Sequence, residues 1–225
     1  MRPGPPWACK PCVARLPRLL PPLCRHCSRP LRSASPAKEA AAWVCRFCRV
    51  RPPFRWAVYA GAYEGALQVH IQRLKFENHR VIAKALGHLL ALRVVPMLDR
   101  SVPTVVVPIP LHARRLWERG FNQAALLAQE VSDHCGAPMR QPLRRLRDTL
   151  PQTGLSLRER RHNLQGAFQV VDPAAVAGRH VVLVDDVYTT GTTCREAAFA
   201  LLRSGAQSVG VACVAVRVAN ADMIV

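Results

Sequence analysis

Apolar and polar residues follow different patterns on either side of residue 53. From Trp56 onward, apolar runs typical of buried strands alternate with longer stretches of helical periodicity. Strands are predicted at WAVYAGAY (56–63), TVVVPIPL (104–111), HVVLV (180–184) and VGVACVAV (209–216). Helices are predicted over 64–95 with a break near Asn78, over 122–135 with Asn122 as the N-cap, and over 193–204 before Gly205. This alternation predicts an α/β fold with a parallel sheet and right-handed crossovers.

Two regions lack this regular pattern. Residues 1–52 are rich in Cys, Pro and Arg and show no sustained helical period, which is typical of a small module dominated by loops. A chain of 225 residues is long enough for one α/β core plus such a module, so the predicted division is 1–52 and 53–225. Residues 136–166 are polar and arginine-rich, and they form either an excursion over the core or a flexible surface loop.

The charge of the chain favours anionic ligands. Lys and Arg number 32 against 14 Asp and Glu, and the formal net charge is +18. Arginine supplies most of the positive charge, and a guanidinium binds phosphate through two parallel hydrogen bonds. Polyanions or phosphorylated molecules are therefore the expected partners, although arginines on solvated faces would give the same composition. An arginine becomes a site candidate only where a motif contains it.

The chain has no obvious targeting or membrane segment. No apolar stretch reaches the ~18 residues that a membrane helix needs, and the proline-rich start MRPGPPWACKPC lacks the apolar core of a signal peptide. These features predict no membrane insertion and a cytoplasmic location. Disulfides are rare in that reducing compartment, so the nine cysteines need another explanation.

Six of the cysteines form CxxC pairs, namely Cys9/Cys12, Cys24/Cys27 and Cys45/Cys48. Two such pairs supply the four thiolates of a tetrahedral structural Zn²⁺ site. The second and third pairs are separated by 17 residues, which is typical of zinc ribbons. The predicted zinc ligands are therefore Cys24, Cys27, Cys45 and Cys48. The alternative site would combine the first and second pairs.

An acid pair follows the third predicted strand in the segment VVLVDDVYTTGTT (181–193). Ligands of an open parallel sheet bind beyond the carboxyl ends of its strands, where Asp185 and Asp186 are placed. Carboxylates accept hydrogen bonds strongly and therefore suit vicinal hydroxyls such as those of a ribose. The alternatives are acids that only cap a helix and acids that bind a metal ion.

The turn after the acids has the composition of an anion site. Gly191 has no Cβ, which lets neighbouring backbone N–H groups turn toward one point. Thr193 and Glu196 match a capping box, so the helix and its N-terminal N–H groups are expected to begin there. Acids for the sugar and a turn for the phosphate together predict a ribose 5-phosphate ligand. The candidate turn residues are Val187, Thr189, Thr190, Gly191, Thr192 and Thr193.

A second candidate anion loop is VPIPLHARRLWERGFNQ (107–123). It leaves the second predicted strand at two prolines, which make the loop rigid, and a helix is predicted to start at Gly120. Three guanidiniums on this loop suit a pyrophosphate group, whereas ordinary surface charge beside a helix is the alternative. The candidate arginines are Arg114, Arg115 and Arg119.

These segments resemble a known family. The segment 181–193 resembles the phosphoribosyl pyrophosphate (PRPP) motif of type I phosphoribosyltransferases. Together with 107–123 and RLRDTLPQTGLSLRERRHNLQGAF (145–168), it makes the chain similar to the ComF family over essentially its whole length. Lys75 in LKFENH also matches the family pattern, although a solvated helical lysine would look the same.

The resemblance implies a fold and an activity. The implied fold is that of type I phosphoribosyltransferases, a parallel twisted sheet flanked by helices with a hood, preceded by a small zinc ribbon. The implied activity is transfer of phosphoribosyl from PRPP with release of pyrophosphate, using Mg²⁺ and the catalytic acids Asp185 and Asp186, to an acceptor that the sequence does not identify. Hood residues by this resemblance are Arg147, Thr149, Gln152, Arg160 and Asn163.

A binding function is the alternative to catalysis. The resemblance links the chain to competence and DNA uptake, with the competence machinery as a partner. A non-catalytic PRPP sensor that binds single-stranded DNA would use the same pocket and the basic surface. Aromatic residues make up only 6% of the chain and offer few surfaces on which unpaired bases could stack.

Overall fold

The computed structural model describes residues 16–17, 19–31, 43–76, 80–147 and 166–218. These residues form six strands: β1 (Trp56–Ala62), β2 (Thr104–Pro108), β3 (Leu143–Arg145), β4 (Phe168–Val170), β5 (His180–Tyr188) and β6 (Ser208–Val216). Four of them form a parallel sheet in the order β1-β6-β5-β2, while β3 and β4 pair antiparallel. The predicted α/β fold with a parallel sheet is confirmed.

Helices cover both faces of this sheet. The described residues contain five: α1 (Gly65–Phe76), α2 (Arg80–Val94), α3 (Ala113–Arg119), α4 (Gln123–Cys135) and α5 (Thr192–Arg203). Apolar residues of α1, α2 and α4 pack with one set of strand side chains, which includes Val106 and Val182. Apolar residues of α5 pack with the other set, which includes Val105 and Val181. Neighbouring strand residues point to opposite faces, so continuous runs of valine fill both layers.

Most sequence-predicted elements are present. The helical stretch 64–95 becomes α1 and α2, and its predicted break near Asn78 lies within 77–79, outside the described residues. Asn122 caps α4 as predicted, because its side chain accepts a hydrogen bond from the Ala124 N–H at 3.0 Å. The excursion 136–166 contributes β3, which pairs with β4 after the undescribed residues 148–165.

Three predicted boundaries near the acids and arginines are wrong. Strand β5 continues to Tyr188, so the acid pair lies within the strand rather than after it. Residues 113–119, predicted as a loop, are helix α3, and Gly120 ends that helix instead of starting one. Gly120 adopts a left-handed conformation with φ 74°, and its N–H donates to the Leu116 carbonyl, as in a helix C-cap.

The predicted capping box at Thr193 and Glu196 is also wrong. Helix α5 begins at Thr192, and Gly191, with φ 79°, is its N-cap. The left-handed glycine turns the chain before Thr193, and the Thr190 hydroxyl lies 3.4 Å from the Thr192 nitrogen. Glu196 instead accepts the Gly166 N–H at 3.4 Å.

The cysteine-rich segment packs directly on the sheet domain. Its described part is held by a bridge between Leu23 and Pro30 and by a short 3₁₀ turn, Arg46–Cys48. Four of its cysteines belong to the same apolar cluster as the strand and α5 residues of one sheet face. The boundary between 1–52 and 53–225 stays a prediction, and Cys9 and Cys12 lie outside the described residues.

Membrane insertion has no support in the helices that the structure describes. Among them, none combines the length and the apolar character that a membrane-spanning helix requires.

Candidate functional site

A cavity of about 290 Å³ lies at the carboxyl ends of β2 and β5. Open parallel sheets bind their ligands at this carboxyl-terminal edge of the strands. Seven of the predicted site residues line it, namely Asp185, Asp186, Val187, Thr189, Thr193, Arg115 and Arg119. Its other lining residues are Tyr63, Lys75, Ile109, Leu111, Gln123, Arg145 and Arg217.

Asp186 is buried and fixed from two sides. Its Oδ1 lies 3.1 Å from the Lys75 Nζ, and its Oδ2 accepts a hydrogen bond from the Gln123 Nε2 at 2.8 Å. Gln123 in turn accepts a hydrogen bond from the Arg119 Nη1 at 3.0 Å. Helix α1, helix α4 and the end of α3 therefore position this carboxylate together. A buried carboxylate with a cationic partner and an amide donor has a defined orientation.

Asp185 has a different environment from its neighbour. It is half-buried, and its Oδ1 accepts the backbone N–H of Asp186 at 2.8 Å. Burial, and then repulsion by the adjacent Asp186 carboxylate, raise the pKa of Asp185 to about 7. A carboxyl group whose pKa is shifted this far toward neutrality is typical of functional sites. A polar or cationic ligand would favour the ionised form of Asp185.

The threonine turn is closely packed around Gly191. Gly191 has a left-handed backbone, and a Cβ at this position would lie 2.1 Å from the Tyr188 hydroxyl oxygen. The hydroxyls of Thr190 and Thr192 are 2.8 Å apart and bond to each other. Thr189 and Thr193 face the cavity, whereas Thr190, Gly191 and Thr192 support the turn behind it. Only glycine fits at the centre of this turn.

The three predicted arginines do not share one position. Arg115 and Arg119 are four residues apart on α3 and both line the cavity. Arg114 is exposed on another side of the helix, where its Nε donates to the Glu118 Oε1 at 2.9 Å. The short helix thus directs two guanidiniums, rather than three, toward the acid pair.

Four polar groups at this cavity were not predicted from the sequence, and the role of a fifth, Lys75, was left open. The alternative of a solvated helical lysine is wrong for Lys75, because its side chain is only 21% exposed and its Nζ lies 3.1 Å from the Asp186 Oδ1. Gln123, Arg145, Tyr63 and Arg217 come from four different elements or their ends. The available sequence signal for Lys75 was the match of LKFENH to the family pattern. Among the described lining residues, five cations face two carboxylates, which suits an anionic ligand.

The predicted hood is only partly described. Arg145 of β3 lines the cavity and its guanidinium lies 5.8 Å from the Phe168 ring of β4. Arg147 is exposed just after β3. Thr149, Gln152, Arg160 and Asn163 lie outside the described residues.

A second cavity, of about 390 Å³, lies at the amino-terminal end of β2. Thr104, His134 and Cys135 are among its lining residues. It is larger than the first cavity, but it contains neither the acid pair nor the glycine turn. The chemistry of the lining therefore favours the smaller cavity as the functional site.

The four predicted zinc ligands form one cluster. The sulfur atoms of Cys24, Cys27, Cys45 and Cys48 all lie within 4.8 Å of one another, and all four residues are buried. The Cys27 and Cys45 sulfurs are 3.6 Å apart, close to the ~3.8 Å edge of a tetrahedron with Zn–S bonds of about 2.3 Å. Hydrogen bonds from the Cys27 and Cys45 thiols lower the pKa of Cys24. Among the described cysteines none forms a disulfide, so the cluster fits a metal ion.

The chain is similar to a known domain family and to several known proteins. Residues 118–224 match the model of the phosphoribosyl transferase domain. The chain is 39% identical over 204 residues to the DNA utilization protein YhgH of Escherichia coli (strain K12), covering 85% of this chain and 88% of that protein. It is 35% identical over 196 residues to competence protein F of Haemophilus influenzae, covering 84% of this chain and 82% of that protein.

The chain belongs to the ComF family. It is also 30% identical over 200 residues to competence protein ComFC of Bacillus subtilis, covering 88% of this chain and 78% of that protein. Membership confirms the resemblance read from the sequence motifs.

One solved structure is similar to part of the chain. Glutamine PRPP amidotransferase from B. subtilis, complexed with ADP and GMP, is 24% identical with a TM-score of 0.38. The match covers 57% of this chain and 25% of that one, so the chain spans about a quarter of that enzyme's length. The chain has the phosphoribosyltransferase fold, with a cysteine cluster at its amino-terminal end.

Proposed function

We propose that this ComF protein binds PRPP in the cavity at the ends of β2 and β5 and transfers its phosphoribosyl group to an acceptor. The observation that carries the proposal is the joint lining of one cavity by Asp185, Asp186 and the threonine turn. The carboxylates accept hydrogen bonds from the ribose hydroxyls. Backbone N–H groups at the start of α5 receive the 5-phosphate.

The arginines act on the pyrophosphate. In the proposed reaction the bond between ribose C1 and pyrophosphate breaks, the electron pair leaves with the pyrophosphate, and a bond from the acceptor to C1 forms. The acceptor's proton passes to solvent or to a basic group. Arg115 and Arg119, both facing the cavity, stabilise the negative charge that develops on the leaving group. Asp185 and Asp186 favour the positive charge that develops on the sugar ring.

The proposed metal ions have different positions. Mg²⁺ is commonly held by substrate phosphates, waters and one or two carboxylates, and a cavity with acids beside guanidiniums fits such a complex. When bound, it would neutralise part of the pyrophosphate charge. Zn²⁺ fits the cysteine cluster, where four buried sulfurs supply a structural site.

Calorimetric titration with PRPP and Mg²⁺ tests the binding step. We expect saturable binding that Asp186→Asn weakens about tenfold or more, because the variant removes a charge fixed by Lys75 and Gln123. Asp133→Asn, at an exposed position on α4, is the control and should bind like the wild type. Absence of binding to the wild type would refute the proposal.

Release of pyrophosphate tests the chemical step. Purified protein with PRPP, Mg²⁺ and a cell metabolite extract should release pyrophosphate, and a variant with both acids changed to asparagine should not. Fractionation of the active extract then identifies the acceptor. Binding without release under all these conditions would favour a PRPP sensor.

Single-stranded nucleic acid is a second candidate ligand, which two exposed aromatic side chains support. Trp117 on α3 is 89% exposed and Phe76 at the end of α1 is 76% exposed. The Arg119 guanidinium lies 5.5 Å from the Phe76 ring. Exposed rings beside arginines can stack unpaired bases while the guanidiniums contact phosphates. The low aromatic content thus matters less than the positions of these two rings.

Fluorescence titration with a labelled single-stranded oligonucleotide tests this second candidate. Trp117→Ala should weaken binding about tenfold, and the affinity of the wild type should fall steeply with salt. The control is Leu116→Ala, because Leu116 is next to Trp117 and is 44% exposed. Trp43→Ala is unsuitable, because the Trp43 ring packs against the core. A flat salt response would exclude the electrostatic contact.

A further inference from the structure

A buried arginine joins the cysteine-rich segment to the threonine turn. Arg29 follows the predicted zinc ligand Cys27 by two residues and is 0% exposed. Its Nη2 donates a hydrogen bond to the backbone carbonyl of Thr189, 160 residues away in the chain. Burial of a guanidinium is unfavourable unless the surrounding groups compensate its charge and satisfy its donors. Because burial of this charge is unfavourable, we expect a role of Arg29 other than packing.

Two aromatic rings surround the Arg29 guanidinium. The Phe47 ring centre lies 4.3 Å from its central carbon, and Phe47 sits between the ligands Cys45 and Cys48. The Tyr188 ring centre lies 5.7 Å away, and Tyr188 is the last residue of β5, just before the turn. One ring thus comes from the metal-site segment and the other from the turn. Rings at these distances attract a guanidinium through their π faces.

The contact fixes a peptide plane of the turn. A trans peptide directs its C=O and the following N–H in opposite directions. Because Arg29 holds the Thr189 carbonyl, the N–H of Thr190 is directed to the side of the turn away from Arg29. Tyr188 directly precedes the turn, and its side chain also lies against Gly191 within the turn. Arg29 therefore contacts the two features that set the shape of the turn.

The charge of an occupied cysteine site would stabilise the buried Arg29 guanidinium. Four thiolates around Zn²⁺ leave a net charge of about −2, which a nearby guanidinium offsets. An occupied cysteine site thus favours the buried position of Arg29.

We propose that Arg29 is a positioning residue that transmits the state of the cysteine metal site to the phosphate-binding turn. With the metal bound, Arg29 holds the peptide between Thr189 and Thr190 in the conformation that receives a phosphate. Because this role presupposes a phosphate at the turn, it rests on the function proposed above. Coupling of this kind is reciprocal, so PRPP should also raise the equilibrium affinity of the cysteine site for zinc.

Amide hydrogen exchange of residues 189–193, measured without ligand, tests the contact itself. Arg29→Met keeps an unbranched apolar side chain and removes the guanidinium with its charge and donors. We expect exchange in 189–193 to quicken at least tenfold while zinc stays at the wild-type stoichiometry. Arg25→Met, at an exposed position of the same segment, is the matched control and should exchange like the wild type. Unchanged exchange in folded Arg29→Met would overturn the proposal.

Two further measurements keep the test decisive. If Arg29→Met does not fold, zinc can instead be chelated from the wild type. Amide exchange in 189–193 should then become faster before exchange in β2 does. If both segments lose their protection at the same time, the proposal is overturned. Calorimetry with PRPP should give about tenfold weaker binding for Arg29→Met than for Arg25→Met, and equal affinities would count against it. A wild type that does not bind PRPP, combined with faster exchange in Arg29→Met, would remove the proposed function and leave the positioning role intact.

Discussion

At the scale of single residues, the two adjacent acids differ because their neighbours differ. Asp186 is paired with Lys75 and Gln123, so its charge is compensated in the folded protein. Asp185 accepts one backbone N–H, which lowers its pKa, but burial and repulsion by Asp186 have the larger effect and raise that pKa to about 7. The acid that changes its protonation near neutral pH is therefore Asp185.

This difference predicts a pH-dependent stability. The pKa of Asp185 rises from 3.8 to about 7 on folding, so between these values the folded state binds more protons than the unfolded state. The contribution of Asp185 to stability therefore falls as pH rises through this window and is constant above it. The melting temperature of Asp185→Asn minus that of the wild type should grow from pH 4.5 to about pH 7.5. Asp133→Asn is the control, and a difference independent of pH would contradict the assignment.

Gly191 offers a second prediction at this scale. Gly191→Ala adds a Cβ that would lie 2.1 Å from the Tyr188 hydroxyl oxygen, in a left-handed backbone. Gly178→Ala also has a left-handed backbone, with φ 67°, but its Cβ would meet no atom within 4 Å. The backbone penalty of ~1 kcal/mol is common to both variants. Thermal unfolding should show a clearly larger loss of stability for Gly191→Ala, and PRPP affinity should fall only in that variant.

At the scale of elements, helix α3 decides which arginines face the ligand. Arg115 and Arg119 share the face toward the cavity, whereas Arg114 pairs with Glu118 on another side. A loop would have left all three equivalent. The helical spacing therefore separates the two arginines that face the cavity from the third, which the sequence motif alone could not do.

The ranking can be measured with pyrophosphate as the ligand. Arg115→Met and Arg119→Met should each weaken pyrophosphate binding about tenfold, because each removes a charge-assisted contact in the cavity. Arg114→Met should change binding less than threefold, since a surface pair of this kind contributes little. Isothermal titration at low and high salt gives the affinities. Equal losses in all three variants would show that α3 presents its arginines differently when a ligand binds.

At the scale of the whole molecule, the cysteine cluster shares one core with the sheet. Removal of a structural metal should therefore disturb the sheet domain and not only the amino-terminal segment. We expect Cys45→Ser to lower zinc content and the melting temperature together. Cys135→Ser changes a half-buried cysteine outside the cluster and should leave the zinc content unchanged. Metal analysis with differential scanning calorimetry checks both, and normal zinc in Cys45→Ser would contradict the ligand assignment.

Sequence patterns predicted the elements better than their ends. The runs of valine predicted β2, β5 and β6 because strands buried on both faces have few sequence alternatives. The end of β5 was missed because Asp185 and Asp186 are polar, although hydrogen bonds to β6 continue past them. Helix α3 was missed because its arginines and Trp117 show no apolar period, and its burial is slight. Local signals fail where tertiary contacts, rather than apolar periodicity, define the element.

The amino-acid sequence alone determined the fold class, the family and the identity of most candidate groups, because these follow from local periodicity and from motifs of residues close together in the chain. Lys75, Gln123 and Arg29 required the tertiary structure, because each acts on a residue more than 60 positions away. The same holds for the separation of Arg114 from the other two arginines and for the difference between the two acids. Charge pairing and burial depend on distances in space, and the order of residues along the chain does not contain those distances.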